Sequence, residues 1–168
     1  ATSAYGLLAM THKYERGIFM QINTFELGSM GANCYVIRDE EAKSCAVVDP
    51  GGSGKDLAAW MEKEGLTPKY VFLTHGHFDH IWSANELKEL TGAEILIHEL
   101  EYKVAANAVL NMSARFTEDI TVEADSTFND GDIIKLGETE LTVCHTPGHT
   151  TGSCMFLSGE AIFSGDMR

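Results

Sequence analysis

The chain has 168 residues, 44% of them apolar, and a formal net charge of −13, which fits one domain large enough to bury a core. That excess of acid repels a phosphate backbone and an anionic membrane surface, so nucleic acid and membrane are not expected partners. No apolar stretch approaches the ~20 residues a spanning helix needs, and a cytoplasmic location is expected.

Residues 1–19 read poorly as any element and are set aside as a leader or expression segment; the domain is taken as 20–168. Met20 to Leu27 reads as a strand with imperfect alternation. Cys34 to Ile37 and Cys45 to Val48 are short apolar runs parted by the charged turn Arg38-Asp-Glu-Glu41, which predicts a hairpin. Gly54-Lys55 superficially suits a phosphate loop, but Asp56 stands where Ser or Thr is required and Asp49 where the first Gly is required. The segment is therefore a plain turn into a helix over 56–64. Tyr70 to Thr74 is a buried strand by composition. A helix over 83–90 ended by Gly92, a strand over 94–98 and a helix over 99–110 follow. The last third turns to strands at 127–128, 133–136, 141–145, 153–157 and 161–164. Short strands mixed with helices place the fold in the α/β or α+β class.

Four cysteines are present, Cys34, Cys45, Cys144 and Cys154. None forms a Cys-x-x-Cys pair, so neither a thiolate zinc site nor a disulfide framework is expected, and buried free thiols are.

The chemistry is concentrated in Thr74-His75-Gly-His77-Phe-Asp79-His80, directly after a strand. Side chains at i and i+2 of extended backbone point the same way, so His75 and His77 can share one ion. Asp79 and His80 then turn toward a second. Imidazole and carboxylate suit Zn²⁺, which takes about four ligands. His149 follows a Pro-Gly turn after a strand and supplies a third imidazole. Asp166 ends the strand 161–164 through Gly165, and a carboxylate can bridge two ions. Asp79 is the candidate catalytic carboxylate. The other histidines have ordinary expected roles: His145 in the core or behind the ligands, His98 as a cap or surface group. Trp82 packs, or narrows a pocket.

The order of these segments resembles the metallo-β-lactamase superfamily, and most of all its small glyoxalase II-type hydrolases. The resemblance rests on Asn33 to Ile37, Val48 to Gly51, Thr74 to His80, Asp130-Gly-Asp132, His145 to Ser153 and Ser164 to Asp166. It implies an αββα sandwich with the metals at one edge of the paired sheets. It implies a first zinc on His75, His77 and His149, and a second on Asp79 and His80 with Asp166 bridging. A further histidine ligand of the family falls beyond Arg168, so the second half is expected to be incomplete and the second ion weaker. The implied activity is hydrolysis of a small-molecule substrate by a metal-bound hydroxide, zinc lowering the pKa of its water to about 7. A thioester such as an acyl-glutathione is the first choice of substrate. The alternatives are a non-catalytic metal-binding fragment or subunit, and a β-lactam or other ester or amide hydrolase. The incomplete second half predicts a homo-oligomer whose interface covers it, or residues 1–19 folded back over it.

Overall fold

The computed structural model describes residues 10–13, 20–39, 43–159 and 161–166. Two sheets lie face to face, with helices over the outer side of the first. The first sheet has seven strands in chain order: β1 (Met10–Lys13), β2 (Met20–Leu27), β3 (Ala32–Asp39), β4 (Ser44–Val48), β5 (Thr67–Leu73), β6 (Glu94–His98) and β7 (Ser126–Phe128). β1 to β4 pair antiparallel, and β4 to β7 pair parallel. The second sheet is an antiparallel meander of β8 (Ile133–Leu136), β9 (Thr139–His145), β10 (Cys154–Ser158) and β11 (Ala161–Ser164).

The parallel crossovers carry the helices. α1 (Gly54–Lys63) joins β4 to β5; α2 (Phe78–Ile81) and α3 (Ala84–Thr91) join β5 to β6. Between β6 and β7 come a 3₁₀ turn over Glu99–Glu101, α4 (Tyr102–Ala105) and α5 (Ser113–Phe116). The helix expected over 99–110 is therefore cut short. Side-chain amides take its backbone groups: Asn107 accepts from the amides of Val109 and Leu110, and the Asn111 amide donates to the carbonyls of Ala105 and Ile120. Such local competition ends a helix whose apolar spacing alone would continue it.

The central strands of the first sheet, β4 and the second half of β5 above all, are buried on both faces, which explains why they read as continuous apolar runs. Phe25, Leu27, Cys34, Val36, Cys45, Val47, Val71, Leu73, Ile95 and Ile97 pack under the helices with Leu57, Met61, Ile81 and Leu87. Their alternating neighbours Ile22, Ile37, Ala46, Val48 and Phe72 pack between the sheets against Leu141, Val143, Phe156 and Phe163. The two parities of β2 serve different cores, so its alternation was real but two-sided. On the outer face of the second sheet Ile133 and Ile162 are exposed, and no helix covers that face among the described residues. The fold is thus the expected sandwich with its fourth layer missing from the described residues.

The expectation that residues 1–19 cover the second sheet is corrected for the part that is described. Met10–Lys13 adds an edge strand to the first sheet, pairing His12 with Ile22 in register. Residues 1–9 and 14–19 lie outside the described residues. All four cysteines are free thiols, three buried and Cys144 half-buried. Burial holds the Cys45 thiol up to about 12, and raises those of Cys34 and Cys154 as well.

Candidate metal centre

The centre sits where β5 ends. After Leu73 the chain bends at Thr74 and His75 and reaches His77, whose extended φ of −70° and ψ of 148° precede the single turn of α2. His75 therefore leaves a bend and His77 an extended position, while Asp79 and His80 lie in a helical turn. Carboxylates on either side of β5 hold this segment in place. From the β4 side, Asp49 accepts from the Thr74 amide at 2.8 Å and the Thr74 hydroxyl at 2.6 Å. From the β6 side, Glu101 accepts from the Gly76 amide at 2.9 Å. The second sheet joins through the Cys154 amide, which donates to the Thr74 carbonyl at 2.9 Å.

Four imidazoles converge. Ring centroids of His75 lie 4.8 Å from His77, 4.2 Å from His80 and 4.9 Å from His149. The donor atoms fall into two groups, His75/His77/His149 and His75/His80/Asp166, each within 4.8 Å. His77 Nδ1 and His149 Nε2 are 2.9 Å apart. Two neutral imidazole lone pairs cannot face each other at that distance without a proton or a cation between them. The carboxylate oxygens of Asp166 divide between the groups, Oδ1 at 3.6 Å from His80 Nε2 and Oδ2 at 3.5 Å from His149 Nε2. Asp79 stands at the margin, 3.7 Å from His80 Nε2.

Hydrogen bonding fixes which nitrogens face inward. Asp49 Oδ2 lies 2.8 Å from His80 Nδ1, so that nitrogen donates and Nε2 turns to the centre. The Thr74 hydroxyl spends its proton on Asp49, so its oxygen accepts from His75 Nδ1 at 3.1 Å. His75 Nε2 then also faces inward. Both Nε2 atoms are buried and lack any hydrogen-bond partner among the described residues. Buried polar atoms are seldom left so, and a metal ion is the partner that imidazole nitrogens without a donor suit. Asp49 is thus the hidden organiser of the centre: one buried carboxylate orients two candidate ligands, His80 directly and His75 through Thr74.

Charge separates the imidazoles. Burial, then the neighbouring His80, His77 and His149, push the His75 pKa far below its usual value. Burial and His149 lower that of His77. Burial opposes protonation of His80, but the charge and hydrogen bond of Asp49, with Asp79 and Asp166 behind them, outweigh it and raise its pKa to about 9. In the metal-free protein His75 is therefore a neutral donor, and His80 must release a proton to become one.

Residues 27–168 match the metallo-beta-lactamase superfamily. The chain belongs to that superfamily. It is 34% identical to hydroxyacylglutathione hydrolase GloC of Haemophilus influenzae, over 88% of this chain and 72% of that protein. It is 31% identical to the probable metallo-hydrolase YqgX of Bacillus subtilis, over 87% and 73%. Among solved structures it resembles the B3 metallo-beta-lactamase BLEG-1, with a TM-score of 0.76 and 31% identity, covering 82% of this chain and 66% of that one. The chain thus spans just under two thirds of that solved structure and nearly three quarters of the two relatives.

Within this metallo-beta-lactamase fold, a cleft of about 300 Å³ opens beside Asp79. Met30, Phe78 and Trp82 form its apolar wall, and Gly51, Gly52 and Ser53 its other side. Trp82 lines this cleft and meets Phe78 edge-on, ring centroids 6.5 Å apart. His98 and His145 stack on each other at 4.5 Å and stand outside both donor groups. His98 is buried and accepts from the Leu100 amide as a cap, and His145 contacts the Thr151 carbonyl at 2.9 Å. Of the six residues expected as ligands, the two donor groups bring together His75, His77, His80, His149 and Asp166, while Asp79 stands outside both; sequence reading assigned no role to Asp49 or Glu101. Asp49 offered a signal, an acid directly after β4; Glu101 offered none, because Glu99 stands closer to the end of β6.

Proposed function

We propose that the chain is a metal-dependent hydrolase whose two donor groups hold zinc. His75, His77 and His149 would hold a first ion; His80 and Asp166 would hold a second, with Asp79 beside it and Asp166 shared. The observation that carries this is the pair of buried, unpartnered Nε2 atoms on His75 and His80, turned inward by Asp49. When bound, zinc supplies a Lewis acid for a carbonyl and brings the pKa of water to about 7. The chain's own residues do the rest. Asp79 lies at the mouth of the cleft, half-buried, where it can take up a proton from water and orient it toward a substrate carbonyl. Met30, Phe78 and Trp82 offer an apolar surface to an acyl group and shed water from the site.

The proposed substrate is a small thioester, an acyl-glutathione first; the likeness to hydroxyacylglutathione hydrolase GloC supports it. A β-lactam is the second reading, supported by the likeness to BLEG-1. Elemental analysis together with turnover of lactoylglutathione, a glutathione-free thioester and a β-lactam tests both. The expected result is at least one zinc per chain and preferential thioester hydrolysis that His77→Ala abolishes. Zinc without turnover of any of the three would leave a metal-binding subunit and overturn the enzyme reading; no metal after zinc is supplied would overturn the site itself.

A further inference from the structure

The mechanism so far makes no use of Glu101, the carboxylate at the end of the 3₁₀ turn. It is fully buried, at 0% exposure. Its Oε2 accepts from the Gly76 amide at 2.9 Å and its Oε1 from the Gly152 amide at 2.7 Å. Gly76 lies between His75 and His77, and Gly152 lies three residues after His149. One carboxylate thereby ties together two loops that belong to different sheets and carry different ligands.

Both tie points are glycines, and the packing requires it. A Cβ on Gly76 would come within 2.8 Å of the Ala105 amide and 2.9 Å of Val104 Cγ1. A Cβ on Gly152 would come within 2.8 Å of Glu101 Cγ and 2.9 Å of Leu100 Cβ. At Gly76 the neighbours are backbone and a β-branched side chain, and at Gly152 they are the Cβ of Leu100, fixed to its backbone, and the tied Glu101 itself, so each loop reaches the carboxylate only without a side chain. No basic side chain forms an ion pair with Glu101 among the described residues. A buried carboxylate answered only by two amides retains uncompensated charge. A cation held by the imidazoles of His75, His77 and His149 would balance it.

We propose that Glu101 is a positioning residue for the first ion: by bridging Gly76 and Gly152 it sets the approach of His77 to His149 and supplies the countercharge of that site. The proposal rests on the reading of His75, His77 and His149 as the first ion's ligands.

The test uses the whole chain and zinc alone. Glu101→Gln keeps the shape but leaves one oxygen for two amides and removes the charge. The readouts are first-ion zinc affinity by competition with a chromophoric chelator, and the visible spectrum of the cobalt(II)-substituted protein. Met61→Ala, buried under the first sheet away from the centre, serves as the control for general destabilisation. Glu101→Gln is expected to weaken first-ion affinity at least tenfold and to alter the cobalt spectrum, while Met61→Ala with a comparable loss of melting temperature alters neither. Wild-type affinity and spectrum in Glu101→Gln, or an equal loss in Met61→Ala, would overturn the proposal. If Glu101→Gln does not fold, Glu101→Asp replaces it: charge kept, one tie lost, affinity expected to fall at least threefold, and unchanged affinity counting against the role. His77→Ala keeps the two ideas apart, since retained first-ion zinc there would fault the ligand assignment rather than Glu101.

Discussion

Asp49→Asn probes the organiser of the centre in the metal-free protein. The substitution keeps an acceptor for the Thr74 amide but puts an amide donor where Oδ2 met both the Thr74 hydroxyl and His80 Nδ1. His80 is held at a pKa of about 9 in the fold, against an ordinary value of 6.5. A raised folded pKa contributes stability that is full below pH 6.5 and is lost as pH rises through about 9. The 2.5-unit difference corresponds to about 3 kcal/mol. Asp49, by its charge and its hydrogen bond, does most to raise it, so most of that disappears in the variant. For a domain of this size about 3 kcal/mol shifts the melting temperature by roughly 6–12 °C. Thermal melts of chelator-treated wild type and Asp49→Asn at pH 6 and pH 10 measure it. The gap should be largest at pH 6 and should narrow clearly at pH 10, where only the hydrogen-bond loss remains. A gap that is the same at both pH values, or under 2 °C at pH 6, would refute the linkage argued from His80.

Metal removal and ligand loss should converge: His77→Ala as purified should melt near the chelated wild type, about 4 kcal/mol below the loaded protein when free zinc exceeds Kd a thousandfold; calorimetry and metal analysis check this, and an unchanged melt with unchanged zinc content counts against the assignment. Zinc entering the second site should displace the His80 proton below pH 9, so titration calorimetry in buffers of different ionisation enthalpy should show proton release that vanishes near pH 10. Gly51→Ala would drive a methyl into the Asp79 carbonyl; it should cost about 1–3 kcal/mol and disturb the second site, read by denaturant unfolding and zinc stoichiometry. Native protein at pH 8 should react with a thiol reagent at Cys144 alone among the cysteines, because burial keeps Cys34, Cys45 and Cys154 protonated and covered; mass spectrometry of labelled peptides would expose an error.

The candidate donors stood out because His75, His77, Asp79 and His80 crowd into six residues, three of which the fold brings into the donor groups, and the strands because burial on two faces leaves unbroken apolar runs. Ile133–Leu136, Glu94–His98 and Ala161–Ser164 fall where their composition placed them. What escaped was non-local or hidden in side-chain amides. Asp49 and Glu101 each lie 25 residues from the backbone amide they hold, and only the parallel pairing of β4 and β6 with β5 brings them alongside it. The shortened helix after Glu101 escaped because Asn107 and Asn111 look like ordinary helix-surface residues until their partners are seen. β1 escaped because its place is set by pairing with β2, not by a periodicity of its own.

The proposed ligands come from both sheets: His75, His77 and His80 follow β5, whereas His149 follows β9 and Asp166 follows β11. Away from the centre the sheets meet through side chains such as Phe72 and Phe156, ring centroids 5.3 Å apart. Metal bound there would be a clasp across two leaves, and its stabilisation would be regional. The meander of β8 to β11, with fewer strands and an outer face that no helix covers among the described residues, is expected to be the leaf that opens first when the clasp is undone. Its amides should exchange with deuterated water faster on chelation, while those of β4, β5 and β6, gripped from both sides, keep their protection.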